Sequence, residues 1–229
     1  MGFYCLPGKI NCGKINCVQG WDVALVRLER PVVGFGQTRL YSGTSELGME
    51  VTVLGAGLAG RVGEDLAAND AGTIHAFRNT IDRVISLEAG GLLLYDFDDG
   101  TAGKNTLANE AAFDALGQPV AGGNILGRGS ATGLTFLEGT SAPGDSGGPA
   151  FADFGNGPEL VGIVSWGVNP SEPGNLYGSG YGDVGSLMRV SAYEGWIASV
   201  IPEPGVGSLL MAGVCFGLRL RGRPQADGQ

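Results

Sequence analysis

Residues 139–151, GTSAPGDSGGPAF, set one serine, Ser146, among glycines and prolines directly after an acid. Glycine on both sides lets the backbone turn tightly, so that main-chain N–H groups converge on one small volume. That is the requirement for holding a developing oxyanion. A serine hydroxyl at the tip of such a turn is a poor nucleophile until a neighbouring base takes its proton. The stretch therefore poses the question of which residue supplies that base.

The rest of the chain sets the frame. It has 229 residues, 43 of them glycine, with 8% aromatic and 16% charged residues and a net charge of −9. There is no G-X-Y period, which excludes collagen. Many short apolar runs between glycine turns predict an all-β sandwich or barrel. A net acidic chain lacks the basic footprint that a phosphate backbone demands, so nucleic acid is excluded as a partner. Cysteines stand at 5, 12 and 17, within the tandem GKINCGKINC, and then only at 215. No fourth Cys or His ligand lies near the first three, so no metal centre is expected. A Cys12–Cys17 loop disulfide and free thiols in a disordered lead-in both remain open. The fold of residues 18–214 owes nothing to disulfides.

Strands are predicted at Val23–Leu28 within WDVALVRLERPV, and in GMEVTVLGAG, NTIDRVISLE, GLLLYDFD, ELVGIVSWG and GSLMRV. SAYEGWIASVI reads as a helix with Ser191 as N-cap and with Tyr193, Trp196, Ile197 and Val200 on one face. NTLANEAAFDALG is the other segment with helical character. Two motifs invite other chemistry. VTVLGAGLAG holds Gly55-x-Gly57-x-x-Gly60 after a strand, the form of a dinucleotide fingerprint. No helix and no acid-terminated strand follow it, so a glycine-lined bend is the better reading, and no cofactor is expected. YDFDDGTAGKN offers Asp96, Asp98, Asp99 and Asn105, but their spacing does not match an EF-hand loop, and acidic turns are usually solvated.

Gly144-Asp145-Ser146-Gly147-Gly148-Pro149 resembles, without a gap, the nucleophile loop of the chymotrypsin-like (trypsin-fold) serine proteases. VSWG at 164–167 is similar to that family's substrate-pairing strand, and WDVALVRLERPV to the segment carrying its triad aspartate. The resemblance covers roughly residues 20–200. It implies a double β-barrel with the first barrel truncated, the second complete and one C-terminal helix. Residues 1–45 would be the remnant of the first barrel and 46–200 the second. By the same resemblance Ser146 is the nucleophile, the N–H groups of Gly144 and Ser146 form the oxyanion hole, and Asp22 orients a catalytic histidine. Asp145 pairs with a buried cation, left unidentified. Thr140, six residues before Ser146, lies at the base of the specificity pocket, while Ser165, Trp166, Gly167 and Gly185 border the substrate. An uncharged threonine there implies cleavage after apolar or small residues. The one histidine, His75, follows Asp22, whereas the family order is His, Asp, Ser. His75 thus reads as a loop histidine, and the catalytic histidine is expected to be missing from a chain that starts late.

Beyond residue 200 the character changes. Pro202-Glu203-Pro204, an apolar run to Leu218, and Arg219, Arg221 and Arg223 resemble the PEP-CTERM sorting signal of Gram-negative bacteria. Residues 201–223 are then expected to stand outside the folded domain, to enter the membrane as a short helix and to meet an exosortase-type sorting machinery. Export follows, although no N-terminal signal peptide is visible. The reading is an exported bacterial serine endopeptidase acting on protein or peptide substrates. Its rivals are a non-catalytic surface or matrix protein that keeps the fold, and more distantly a dinucleotide-binding enzyme.

Overall fold

The structure, a computed structural model, describes residues 2–5, 20–62, 71–87, 90–108, 135–168 and 180–201. Cys12, Cys17, Cys215 and the expected segment 201–223, beyond its first residue, lie outside these. So does most of NTLANEAAFDALG, whose described residues are in turns. Two compact units divide at Glu194/Gly195.

In the first unit β1 (Gly2–Cys5) pairs antiparallel with β2 (Ala24–Arg27), with Cys5 opposite Ala24. The expected strand in WDVALVRLERPV is therefore present, and it finds its partner in the lead-in. A separate seven-stranded sheet comprises β3 (Glu50–Gly55), β4 (His75–Thr80), β5 (Arg83–Leu87), β6 (Gly90–Asp96), β7 (Pro149–Asp153), β8 (Pro158–Val168) and β9 (Val184–Arg189). Its order is β4-β3-β7-β8-β9-β6-β5, antiparallel throughout. The alternation in EVTVLG turns Val51 and Val53 inward, where they meet Phe77, Leu93, Tyr95, Ala150, Val161 and Leu187. Burial of the Val, Leu and Phe side chains among these, each contributing roughly 1.5–3 kcal/mol, holds the strands together on this face.

NTIDRVISLE is not one strand. Ile81 and Asp82 interrupt it because they serve opposite ends of the sheet: Ile81 N–H donates to Met49 O and Asp82 N–H to Leu94 O, both at 2.9 Å. Consecutive strands β4 and β5 thus lie at the two ends, and a two-residue link spans only about 10 Å. The ends must therefore meet at this corner. The ladder nevertheless stays open, where a complete second barrel was expected. The free edge of β4 is taken by the chain approaching the serine: Arg78 N–H donates to Leu137 O and Gly139 N–H to Arg78 O.

The helix also starts later than its sequence suggests. Val190–Tyr193 form a 3-10 turn, and α1 runs from Glu194 to Val200. Ser191 caps nothing; its hydroxyl donates to Glu46 Oε1 at 2.7 Å. Glu46 is fully buried and also accepts Arg189 Nε and Nη2 at 2.8 and 3.0 Å. A buried carboxylate requires such partners, and this requirement outcompetes the local cap. No helix among the described residues is long and apolar enough to cross a membrane.

Of the acids in YDFDD, Asp96 and Asp98 are drawn inward, while Asp99 stays at the surface and accepts the Thr101 N–H at 2.8 Å. Asp96 is fully buried, its Oδ2 accepts Leu107 N–H at 2.6 Å, and its backbone N–H donates to Asp82 Oδ2 at 3.3 Å. Burial first, and then the charge of Asp82, push its carboxyl up to about 7. Burial raises Asp98 likewise to about 7, with Asp96 adding to it. Among the described residues no three His, Cys, Asp or Glu side chains are placed to hold a metal. A raised folded-state pKa means that the folded protein holds the proton more tightly than the unfolded chain. The associated stability is complete at acid pH and is lost as pH rises through about 7. Asp96→Asn removes that titration. Its stability relative to the native protein is expected to improve between about pH 5 and about pH 8, measured by denaturant unfolding. A pH-independent difference would contradict the assignment.

Candidate active site

The turn 142–148 is built around one carboxylate. Asp145 has a side chain only 1% exposed. Its Oδ2 accepts Ala142 N–H at 2.8 Å, closing the turn, and its Oδ1 accepts Gly57 N–H at 2.8 Å from the chain beyond β3. Leu58 N–H adds a bond to Pro143 O at 2.9 Å. Close approach explains the glycines. A Cβ at Gly57 would lie 2.6 Å from Asp145 N, one at Gly144 would lie 2.7 Å from Gly57 Cα, and one at Gly55 would overlap the Asp145 carboxylate. Gly144 and Gly147 also take φ of 97° and 83°, which side chains disfavour. The glycine pattern of VTVLGAGLAG thus serves the serine turn, and its first two glycines leave no space where a pyrophosphate would sit.

His75 completes the clamp. It opens β4 rather than lying in a loop, and its Nε2 is 3.1 Å from Asp145 Oδ1. Its Nδ1 is 3.2 Å from Thr73 O. Both partners, a carboxylate and a carbonyl, are acceptors. His75 therefore stands as the third polar partner of Asp145, and its ring nitrogens face Asp145 and Thr73. Sequence reasoning missed this role because 70 residues separate the pair.

The turn leaves Ser146 exposed. The N–H groups of Asp145, Gly147 and Gly148 donate to Ala142 O, Val164 O and Asp145 O. Those of Gly144 and Ser146 have no acceptor among the described residues. Gly147 N–H and Gly148 O both bond Val164, which fixes β8 beside the serine. Here β8 slips register: Val164 faces Leu187 on β9, but Gly167 faces Gly185. The extra residue is a bulge that turns Ser165 and Trp166 out of the ladder. Ser165 Oγ donates to Asp22 Oδ2 at 2.6 Å, across 143 residues of sequence. Asp22 is steadied through Gly20, whose carbonyl accepts the Tyr193 hydroxyl at 2.5 Å. Burial pushes that hydroxyl up to about 12. Trp166 Nε1 is buried without a hydrogen-bond partner among the described residues. Thr140 and Ser141, both half-buried, lead into the turn.

The family model of trypsin matches residues 127–197, just under a third of the chain, including Thr140, Ser146, Ser165 and Gly185. Among solved structures the chain is similar to neuropsin, a serine protease expressed in the limbic system of mouse brain. That likeness has 18% sequence identity and a TM-score of 0.50, and covers 87% of this chain and 70% of the neuropsin chain. The fold is the chymotrypsin-like β fold. No curated protein matches the chain significantly.

Replacing His75 takes one of three donors from a buried carboxylate. His75→Ala is expected to lower the free energy of unfolding by about 1–3 kcal/mol, read from the denaturant midpoint. His75→Gln, whose amide can still donate, should recover part of it. An unchanged midpoint in His75→Ala would show that Asp145 does not depend on the ring.

Proposed function

We propose that this chain carries the nucleophile half of a serine-type endopeptidase. Ser146 Oγ attacks the carbonyl carbon of a peptide bond as its proton passes to a base. The resulting oxyanion is held by Gly144 N–H and Ser146 N–H. The C–N bond then breaks, the base returns the proton to the leaving amine, and water hydrolyses the acyl-enzyme. Asp22 orients the base, a histidine from outside residues 1–229. Thr140 gives the primary pocket an uncharged base, which selects apolar or small side chains. The trypsin match over the serine turn and the neuropsin-like fold support the protease reading. The observation that carries it is the Ser165–Asp22 bond, which brings an acid distant in sequence to the bulge beside Ser146. Residues 201–223 are proposed to direct export and membrane attachment through an exosortase-type machinery, on the strength of their sequence pattern alone.

A second reading has its own observation. The one histidine of the chain is bonded to Asp145, so a non-catalytic surface or matrix protein with this fold would hold the same contacts. A fluorophosphonate probe separates the two. Loss of one triad member costs on the order of a million-fold in turnover, and the remaining groups leave roughly a thousand-fold over water. The 229-residue chain is expected not to label. A chain extended by the codons preceding Met1, read in frame or after a frameshift, is expected to gain a histidine and to label at Ser146, but not in Ser146→Ala. Labelling of the 229-residue chain itself would mean that another group is the base. An extended chain that brings no histidine and does not label would favour the non-catalytic reading.

A further inference from the structure

Tyr95 is fully buried in β6, directly opposite Gly185 of β9. Its ring occupies the space that a side chain at 185 would take, since a Cβ there would lie 2.5 Å from Tyr95 Cε2 and overlap the phenol end. At its far end the hydroxyl donates to Ser141 Oγ at 3.1 Å, beside Thr140. Phe77 backs the ring, with centroids 5.9 Å apart and planes tilted by 49°. One side chain thus touches both Gly185 and Ser141, beside two of the positions, Thr140 and Gly185, that the peptidase reading assigns to the primary pocket. The Gly185 wall belongs to β9, and the Thr140–Ser141 wall leads into the serine turn. Gly167, facing Gly185 across the ladder, keeps the mouth open: a Cβ there would meet only Val184 O, at 3.3 Å.

We infer that Tyr95 is a specificity-determining residue that plugs the primary pocket behind Thr140, so that the pocket admits a small side chain and excludes an aromatic one. This rests on the peptidase reading and narrows it. With Tyr95 absent, the glycines at 167 and 185 and the uncharged Thr140 describe a deep apolar slot. With Tyr95 present, the slot ends at the level of Ser141. The ring is fixed by its packing against Gly185 and Phe77, and its hydroxyl adds the bond to Ser141. Burial drives this hydroxyl up to about 12, so it stays protonated and donating across the working range of pH.

The test uses binding rather than turnover, so it needs no catalytic base. The peptides Ala-Ala-Pro-Ala and Ala-Ala-Pro-Phe, as free acids, are titrated into the 15N-labelled chain while the amide signals of Ser141, Ser146 and Gly167 are followed. The native chain is expected to bind the alanine peptide about tenfold more tightly than the phenylalanine peptide, the scale on which pocket size discriminates apolar side chains. Tyr95→Ala is expected to reverse that order. Tyr95→Phe, which keeps the ring, is expected to retain it. If Tyr95→Ala loses its cooperative thermal transition, Tyr95→Leu takes its place, with the phenylalanine peptide again expected to gain. Equal or tighter binding of the phenylalanine peptide by the native chain, at the same three amides, would overturn the plug while leaving the peptide cleft intact. If neither peptide moves those amides in any variant, the cleft reading fails and the plug with it.

Discussion

The buried carboxylate of Asp145 is the interaction on which the site depends. An ionised group with a 1% exposed side chain is tolerable only if its oxygens are fully engaged. Asp145 meets that demand from three directions: Ala142 within the turn, Gly57 after β3, and His75 at the start of β4. Because these donors belong to separate parts of the chain, satisfying the charge also fixes the turn against the sheet. Ser146, the next residue, inherits its position from that clamp. The glycines at 55, 57 and 144 follow as consequences, since backbone must approach backbone too closely for any Cβ.

A second set of buried charges acts in the same way away from the serine. Glu46 gathers Arg189 and Ser191, tying the chain before β3 to the end of β9. Asp96 binds the turn at Leu107 to β6 and is raised to about 7 by burial and by Asp82. Buried ion pairs such as Glu46–Arg189 contribute little net stability compared with apolar residues of equal volume, but removing one partner strands the other at a cost of about 3–5 kcal/mol. They specify which segments meet. In a chain with 43 glycines, whose backbone is entropically costly to order, such long-range pins substitute for local stiffness.

The strands β3, β6, β8 and β9 were legible because alternation and glycine punctuation are local signals, and GDSGGP was legible because six adjacent residues define its shape. What stayed hidden was set by partners far along the chain. NTIDRVISLE is continuous in pattern, and only the hydrogen bonds of Ile81 to Met49 and of Asp82 to Leu94 reveal that it turns a corner. Ser191 has the chemistry of a cap, and only the presence of Glu46 shows why it is used elsewhere. The GAG of 55–57 carried a real signal of close backbone approach; what approaches is the serine turn, not a phosphate. His75 and Tyr95 carried no local signal at all. Each acts through a residue about 50 to 70 positions away, at Ser141 or Asp145.

Whether Asp145 holds the serine turn onto the sheet is read out by native-state hydrogen exchange at two amides, Gly57 and Ala142. Both donate to the same carboxylate from different segments, so they should be protected and should exchange with similar opening free energies. Asp145→Ala should release both together, while the β8–β9 amides away from the turn keep their protection. Gly57 and Ala142 exchanging at unprotected rates in the native chain, or responding to Asp145→Ala independently of one another, would contradict the clamp.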